Sequence, residues 1–352
     1  SMVLLKNEGA VLPLSEDLGS IAVIGPLADN QTDLLGSWHA QGRAEDVVTV
    51  LAGIRHRAAP TTTVSYAQGS TVTGLERDGF AEAVEIARSA DVAIVVIGER
   101  EFETGEAASR TQLGLPGVQQ ELIEAVHETG TPVVAVIMSG RPLTIAWLAE
   151  NVPAILQAWH PGIQGGNAVA DLLWGDFNPS GKLPVSFPRS VGQIPIYYSH
   201  DMTGRPRTDE RYTSKYLDSP NTPLYPFGHG LSYTTFEYGD LVLSADTIST
   251  DGTITVSATV TNTGNLAGAE VVQLYIRDPV ASVVQPVKKL RGFTKILLEP
   301  GERRTVRFTL GPRELGFYDR DTEWVVEPGA FTVWVGWSSA EGLEGSFVVR
   351  GN

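Results

Sequence analysis

The sequence predicts two domains: an α/β domain built on an open, mostly parallel sheet, and then an all-β sandwich. Three observations support this prediction. The chain has 352 residues, which exceeds one typical domain. Short apolar runs alternate with amphipathic helical patterns in the first part, and from about residue 237 the pattern becomes short strands with a period of two.

Short apolar runs rich in Val and Ile predict strands that are buried on both faces of a sheet. These runs are IAVIG (21–25), DVAIVVIG (91–98), PVVAVIMSG (132–140) and AILQAW (154–159). Helical faces lie between them, formed by Phe80, Ala83, Val84 and Ala87, and by Leu122, Ile123 and Val126. Helices between strands imply crossover connections, and crossovers imply a parallel sheet.

A segment rich in Pro, Gly, Tyr and Ser separates the two patterns. We therefore place the α/β domain at 1–190 and the β-domain at 237–352. Between them we expect an irregular linker at 191–236 that packs on both domains. Turn signals such as EPGER divide the last part into alternating segments. These segments include TITVSATVTNTG, AEVVQLYIRD, RRTVRFTL and GAFTVWVGW. Several short strands at regular spacing predict a sandwich.

The composition excludes several classes of function. With 26 basic against 41 acidic residues, the formal charge is -15, which argues against nucleic acid and anionic membrane surfaces as partners. No run approaches the roughly 20 apolar residues of a membrane span. Cysteine is absent, and the six histidines form no H-E-x-x-H motif, so we expect no metal site and no cofactor.

The chain begins with SMVLLKNEGAVLPL, which lacks the charged start and long apolar stretch of a signal peptide. We expect a helix-like segment at Met2 to Leu5, followed by a turn at Asn7 to Gly9. Because structure starts so abruptly, we also expect this sequence to begin inside a larger protein.

The stretch GEREFETGEAASR (98–110) follows the second apolar run and carries four glutamates: Glu99, Glu101, Glu103 and Glu106. In open α/β sheets, ligands bind beyond the carboxyl ends of the strands, where this stretch begins. Glycoside hydrolysis needs two carboxyl groups, one as acid and one as nucleophile or base. A solvated, charge-dense loop is the alternative to a catalytic role.

The chain resembles the C-terminal part of family 3 glycoside hydrolases of the bacterial periplasmic β-glucosidase type. Long motifs carry this resemblance, among them IAVIGPLAD, GEREFETGEAASR, WGDFNPSGKLPVSFPRSVGQIPIYYSH, YPFGHGLSYTTF and PVKKLRGFTKILLEPGE. It implies an α/β sandwich followed by a fibronectin type III-like (immunoglobulin-like) sandwich. It also implies a partner, the N-terminal TIM-like barrel domain of the same enzyme, which would carry the aspartate nucleophile.

The resemblance assigns the general acid/base to Glu106, the glutamate of the G-E-A-A-S-R element. Glu103 and Glu99 stay open as alternatives, because spacing cannot separate neighbours on one loop, although Glu99 is expected to support the loop's conformation. Arg110 is assigned to substrate binding, with pairing to a loop carboxylate or a surface ion pair as alternatives. Trp38 is assigned to stacking on a sugar ring, with core packing as the alternative.

The implied activity is that of a β-glucosidase, which removes terminal non-reducing β-D-glucosyl residues from oligosaccharides or glucosides with retention, and the active site would be incomplete in this chain alone. Other family 3 exo-acting glycosidases (β-xylosidase, exo-β-glucanase or β-N-acetylglucosaminidase) stay open, as does a non-catalytic carbohydrate-binding module. The resemblance further implies a periplasmic or secreted protein and is compatible with a homodimer.

Overall fold

The structure is a computed structural model that describes residues 1–351. The chain folds into two compact units. The α/β unit comprises Ser1–Lys182 with Phe187–Ile194, and the β unit comprises Leu183–Ser186 with the chain from Pro195 onwards. The domain boundaries drawn from the sequence at residues 190 and 236 stay predictions.

The α/β unit is built on a six-stranded sheet in the order β1-β6-β5-β4-β2-β3. Its strands are β1 Val3–Asn7, β2 Ser20–Ile24, β3 Thr63–Ala67, β4 Val92–Gly98, β5 Val133–Met138 and β6 Ala154–Gln157. Its helices are α1 Val50–Arg57, α2 Phe80–Arg88, α3 Gln119–His127, α4 Ala146–Asn151 and α5 Gly165–Trp174.

Strands β2 to β6 are parallel, which confirms the predicted α/β fold class. Every residue of β4 and β5 is buried, because helical crossovers cover both faces of such a sheet. The two predicted helical faces lie on α2 and α3, where Ala83, Ala87, Leu122, Ile123 and Val126 are buried. The crossovers therefore pack as the apolar spacing predicted.

The N-terminal segment differs from the prediction. The expected helix-like stretch at Met2 to Leu5 is wrong, because Val3–Asn7 forms β1, which pairs antiparallel with β6. Val3, Leu4 and Leu5 are all buried. A short continuous apolar run cannot be assigned to helix or strand by periodicity, and here the free edge of β6 decides the conformation.

The strand order changes direction between β2 and β4. The chain passes from β2 to β3 on one side, and from β4 through β5 to β6 on the other. Parallel strands end at the same edge, so the loops that follow β2 and β4 begin side by side at this switch point. Ligands of open α/β sheets bind at such a point.

The β unit contains a five-stranded sheet (β11-β10-β15-β16-β8), a three-stranded sheet (β12-β9-β7) and a two-stranded hairpin (β13-β14). Its strands are β7 Phe236–Leu243, β8 Thr247–Ser249, β9 Ile254–Asn262, β10 Gly268–Arg277, β11 Lys289–Leu298, β12 Arg303–Leu310, β13 Phe317–Tyr318, β14 Trp324–Val325, β15 Gly329–Gly336 and β16 Leu343–Arg350, with a short helix α6 at Pro312–Leu315.

One core lies between the sheets of the β unit. Val256 and Val260 of the three-stranded sheet belong to the same buried cluster as Leu274, Phe331 and Val333 of the five-stranded sheet. Burial alternates strictly along β9, as the period of two predicted. These features confirm the predicted all-β sandwich. Over residues 1–351, no helix has the length and apolar character needed to cross a membrane.

The end of β4 yields a test of the fold. Gly98 has φ +145, and a Cβ atom at this position would lie 1.7 Å from the carbonyl oxygen of Met138. We expect Gly98→Ala to lower the free energy of unfolding by at least about 3 kcal/mol, because β4 and β5 would have to separate. Denaturant unfolding monitored by circular dichroism measures this loss.

The matched control is Gly130→Ala, since Gly130 has φ +80 but no atom within 4 Å of an added Cβ. Its backbone strain alone costs about 1 to 2 kcal/mol. Equal losses in the two variants would show that the close approach of β4 and β5 is not the constraint.

Candidate active site

The candidate site is built on the segment 99–110, here called the acidic loop, which begins where β4 ends. The backbone N–H of Glu99 donates to the carbonyl oxygen of Met138 at 2.8 Å, so the loop's first residue is still held by β5. A single 3-10 turn at Glu101–Glu103 follows. The loop thus starts from a rigid strand at the switch point of the sheet.

Glu99 is a fully buried carboxylate with two cationic neighbours. Its Oε1 accepts a hydrogen bond from Nη1 of Arg110 at 2.7 Å and lies 3.2 Å from Nε of Arg141 in an ion pair without hydrogen-bond geometry. Its Oε2 is buried and has no hydrogen-bond partner among residues 1–351. Burying a charge is costly unless it is paired, so the two guanidinium groups are what allows this carboxylate to lie at the end of β4.

The next two glutamates are also committed to local structure. Glu101 Oε2 lies 3.5 Å from Nε2 of His39 but forms no hydrogen bond among residues 1–351. The Glu103 carboxylate accepts a hydrogen bond from the backbone N–H of Arg100 at 2.9 Å, which caps the 3-10 turn. Both side chains are half-buried. They stabilise the turn that leads to the second half of the loop.

Glu106 differs from the other three glutamates. Its side chain is exposed, and none of the residues that the structure describes forms a hydrogen bond or ion pair with it. It lies between Gly105 at φ +100 and Ala107 at φ +59, both with left-handed backbone. Such a conformation costs a residue other than glycine about 1 to 2 kcal/mol, and strained turns of this kind concentrate at functional sites.

The loop that follows β2 packs against the acidic loop. Ser37 Oγ lies within hydrogen-bond distance of the carbonyl oxygens of Glu101 and Thr104. A Cβ atom on Gly105 would lie 3.2 Å from Nε1 of Trp38. Trp38 is 75% exposed, so it is not a core residue of this unit, and it lies beside the turn that carries Glu106.

Two further residues connect the loops after β2, β4 and β6. Asp33 Oδ1 accepts a hydrogen bond from the backbone N–H of Glu101 at 2.9 Å. His160, just after β6, lies 2.9 Å from the Asp33 carbonyl oxygen through Nδ1 and 3.4 Å from Thr104 Oγ1 through Nε2. Asp33 is buried, so this network fixes the position of the loops rather than offering a free acid.

Sequence reasoning missed Asp33 and Arg141 as parts of the site. Arg141 lies just after β5, and its Nη2 donates to the carbonyl oxygens of Glu103 and Ala108, the latter at 2.8 Å. The one signal in the sequence was that Arg141 follows the carboxyl end of a strand. That position does not show which atoms a long side chain reaches.

Small cavities border the acidic loop, and Phe102, whose ring is exposed, lines two of them. One, of about 350 Å³, is lined in part by Asp33, Arg100 and Glu101. The other, of about 200 Å³, is lined by Phe102, Glu103, Ala108, Ser109 and Arg110. Over residues 1–351, no three His, Asp or Glu side chains are arranged to hold a metal ion.

The α/β unit belongs to the class of glycoside hydrolase domains, and the chain belongs to glycosyl hydrolase family 3. The profile of the glycosyl hydrolase family 3 C-terminal domain matches residues 2–233, and that of the fibronectin type III-like domain matches residues 270–339. Both parts of the resemblance found in the sequence are therefore confirmed.

Several named proteins are similar to this chain. A periplasmic beta-glucosidase of Salmonella typhimurium is 48% identical over 99% of this chain and 48% of its own length. A beta-xylosidase of Formosa agariphila is 44% identical over 96% of this chain and 47% of its own length. The crystal structure of a beta-glucosidase from Listeria innocua in complex with isofagomine superposes with a TM-score of 0.94 at 40% identity, covering 100% of this chain and 49% of that one. The chain thus spans about half the length of these relatives.

The burial of the loop's glutamates predicts unequal effects on stability. We expect Glu99→Gln to lower the free energy of unfolding by about 2 to 3 kcal/mol, because it leaves two neighbouring guanidinium groups without their anion. The loss is not larger because both guanidinium groups are partly exposed to solvent. Glu106→Gln should change it by no more than about 0.5 kcal/mol, since that side chain is exposed and has no described partner. Thermal and denaturant unfolding of the two variants, compared with the unmodified chain, measures the difference. A tolerated Glu99→Gln would show that the buried ion pair does not hold the loop.

Proposed function

We propose that this chain supplies the general acid/base of a retaining β-glucosidase, and that Glu106 is that residue. One observation carries the proposal. Of the four glutamates in the acidic loop, Glu106 alone is exposed and has no partner among the described residues. Glu99 is bound by Arg110 and Glu103 by a backbone N–H, while Glu101 is half-buried with its Oε2 3.5 Å from His39. A carboxyl group that protonates a substrate must be free to approach it.

The proposed reaction has two steps. An aspartate outside this chain attacks the anomeric carbon, while protonated Glu106 donates its proton to the glycosidic oxygen, so that the aglycone leaves and a covalent glycosyl-enzyme forms. Glu106, now a carboxylate, then takes a proton from water as that water attacks the anomeric carbon and the bond from this carbon to the aspartate breaks. Two inversions at one carbon give net retention.

The proposal requires a second domain. Proton transfer at an active site works best where water is excluded, and Glu106 lies open on this chain. In a retaining glycosidase the two carboxyl groups lie about 5 to 5.5 Å apart. We therefore propose that a TIM-like barrel, N-terminal in the same enzyme, covers the acidic loop and brings the nucleophile to that distance. The relatives, of which this chain spans about half, support this arrangement.

Arg110 and Trp38 take supporting roles in the proposal. Arg110 Nη1 binds Glu99, and its Nη2 lies 3.3 Å from the Gly114 carbonyl oxygen, so its first role is to hold the loop. The fifth of its side chain that stays exposed could meet a substrate hydroxyl. Trp38 offers an exposed aromatic face beside Glu106, and sugar rings stack on such faces.

We infer the cellular location of the enzyme from a relative and leave its oligomeric state to a measurement. A relative named as a periplasmic beta-glucosidase favours a periplasmic or secreted enzyme. Its substrate would be a β-glucoside or oligosaccharide, and the enzyme would need no cofactor. A homodimer is compatible with the proposal, and the molar mass measured by light scattering decides whether one forms.

The test of Glu106 uses the complete gene product. We expect Glu106→Ala to reduce turnover of cellobiose by about 10² to 10⁴-fold, because its leaving group needs a proton. An aryl β-glucoside with an acidic phenol as leaving group should be affected much less. Azide should accelerate the variant and give β-glucosyl azide, since the anion can attack the glycosyl-enzyme without a base.

Glu103→Ala is the control, because it removes a glutamate of the same loop that caps the 3-10 turn. If Glu106→Ala hydrolyses both substrates at nearly the rate of the unmodified enzyme while Glu103→Ala does not, the acid/base assignment moves to Glu103.

A β-xylosidase is the second candidate, because a beta-xylosidase of Formosa agariphila is 44% identical over 96% of this chain. The same loop would serve either sugar, since the acid acts on the glycosidic oxygen and not on the group that distinguishes glucose from xylose. The ratio of kcat/KM for p-nitrophenyl β-glucoside and β-xyloside separates them. We expect the glucoside to be preferred, and a clear preference for the xyloside would overturn the sugar assignment without touching Glu106.

A further inference from the structure

We propose that Arg141 is the positioning residue that holds Glu106 in place for proton transfer. This inference rests on the proposed function, in which Glu106 is the acid/base. Arg141 does not contact Glu106 in this proposal. It acts through the backbone of the acidic loop, on both sides of the catalytic glutamate.

The contacts of Arg141 bracket Glu106. Nη2 of Arg141 donates to the carbonyl oxygen of Glu103, three residues before Glu106, and to that of Ala108, two residues after it, at 2.8 Å. The loop's own backbone contributes little over this stretch, since the Ala108 N–H lies 3.4 Å from the Gly105 carbonyl oxygen. One guanidinium group therefore joins the two ends of the turn that carries Glu106.

Arg141 is itself fixed from two directions. Its Nε lies 3.2 Å from the buried Oε1 of Glu99, so the charge is held at the end of β4. Its backbone carbonyl accepts a hydrogen bond from Ser139 Oγ, which in turn accepts one from Nε2 of Gln157 on β6. Ser139 and Gln157 are fully buried. The planar guanidinium presents its donors in a fixed geometry, so anchoring one edge directs the other towards the loop.

The turn around Glu106 needs the two hydrogen bonds from Arg141 to keep its conformation. Gly105 and Ala107 both have left-handed backbone, and strained residues persist only where surrounding contacts enforce them. A general acid must also come within about 2.6 to 3.2 Å of the oxygen it protonates. A displacement of about 1 Å at an active site costs on the order of 10²-fold in rate. Removing the hydrogen bonds from Arg141 should therefore impair protonation of the leaving group more than it impairs substrate binding.

The experiment uses Arg141→Met in the complete gene product and a series of aryl β-glucosides with phenols of increasing basicity, extended to cellobiose. We expect kcat to fall by about 10²-fold on cellobiose and much less on the most activated aryl glucoside. KM should change little, and azide should partly restore turnover. Loss of folded protein or of substrate binding would lower kcat/KM for all substrates equally.

A double-mutant cycle with Glu106→Ala decides whether Arg141 acts through Glu106. If it does, Arg141→Met should reduce the rate of Glu106→Ala only slightly, because the residue being positioned is already gone. The same reduction in both backgrounds would overturn the positioning role while leaving the acid/base assignment intact. If Glu106→Ala shows no dependence on the leaving group, the proposed function fails, and the inference about Arg141 fails with it.

Arg57→Met is the matched control. Arg57 belongs to the same unit, its side chain is 25% exposed against 20% for Arg141, and it also contacts carboxylates, those of Glu16 and Asp176. Its variant should show the leaving-group dependence of the unmodified enzyme.

If Arg141→Met does not fold, Arg141→Lys replaces it. A compact ammonium group keeps the charge beside Glu99 but cannot reproduce the planar fork. It should show a weaker dependence in the same direction, and a dependence identical to that of the unmodified enzyme would overturn the proposal.

Discussion

The acidic loop depends on the buried carboxylate of Glu99. This side chain is fully buried at the end of β4, where its charge is stable only because Arg110 and Arg141 both face it. The same two guanidinium groups also bind backbone carbonyls, those of Gly114, Glu103 and Ala108. The buried carboxylate therefore organises the loop, because Arg141 also binds two carbonyl oxygens of the loop's backbone and Arg110 connects the loop's last residue to Gly114.

The parallel sheet makes this arrangement possible. Since β4, β5 and β6 end at one edge, Glu99, Arg141 and His160 follow three separate strands yet meet at one loop. Asp33 adds the loop after β2, through its hydrogen bond to the backbone of Glu101. Mobile loops make imprecise sites, and here four connections are joined to a rigid sheet. The loop that carries Glu106 is thus anchored by contacts within the α/β unit.

The sequence predicted the sheet well and the site only partly. Strands β4 and β5 were evident because every residue in them is buried, whereas β1 was mistaken for a helix because its short apolar run has no period. Spacing could not separate Glu99 from Glu106, because both follow a glycine on the same loop and they differ in burial, which the sequence does not show. Arg141 was missed because it is 38 residues from Glu103 in the chain, and the sequence does not show which carbonyl oxygens a distant arginine reaches.

The way Glu106 is held suits the chemistry proposed for it. An acid/base must lose a proton and regain one in each catalytic cycle, and a guanidinium group paired directly with the carboxylate would favour the charged form throughout. The structure holds Glu99 in that manner and leaves Glu106 without a described partner. Holding the backbone on both sides of Glu106 restricts its position without binding its oxygens. The two glutamates of one loop are therefore suited to different roles, because Glu99 is buried and paired with arginine, whereas Glu106 is exposed and its oxygens are open to a substrate.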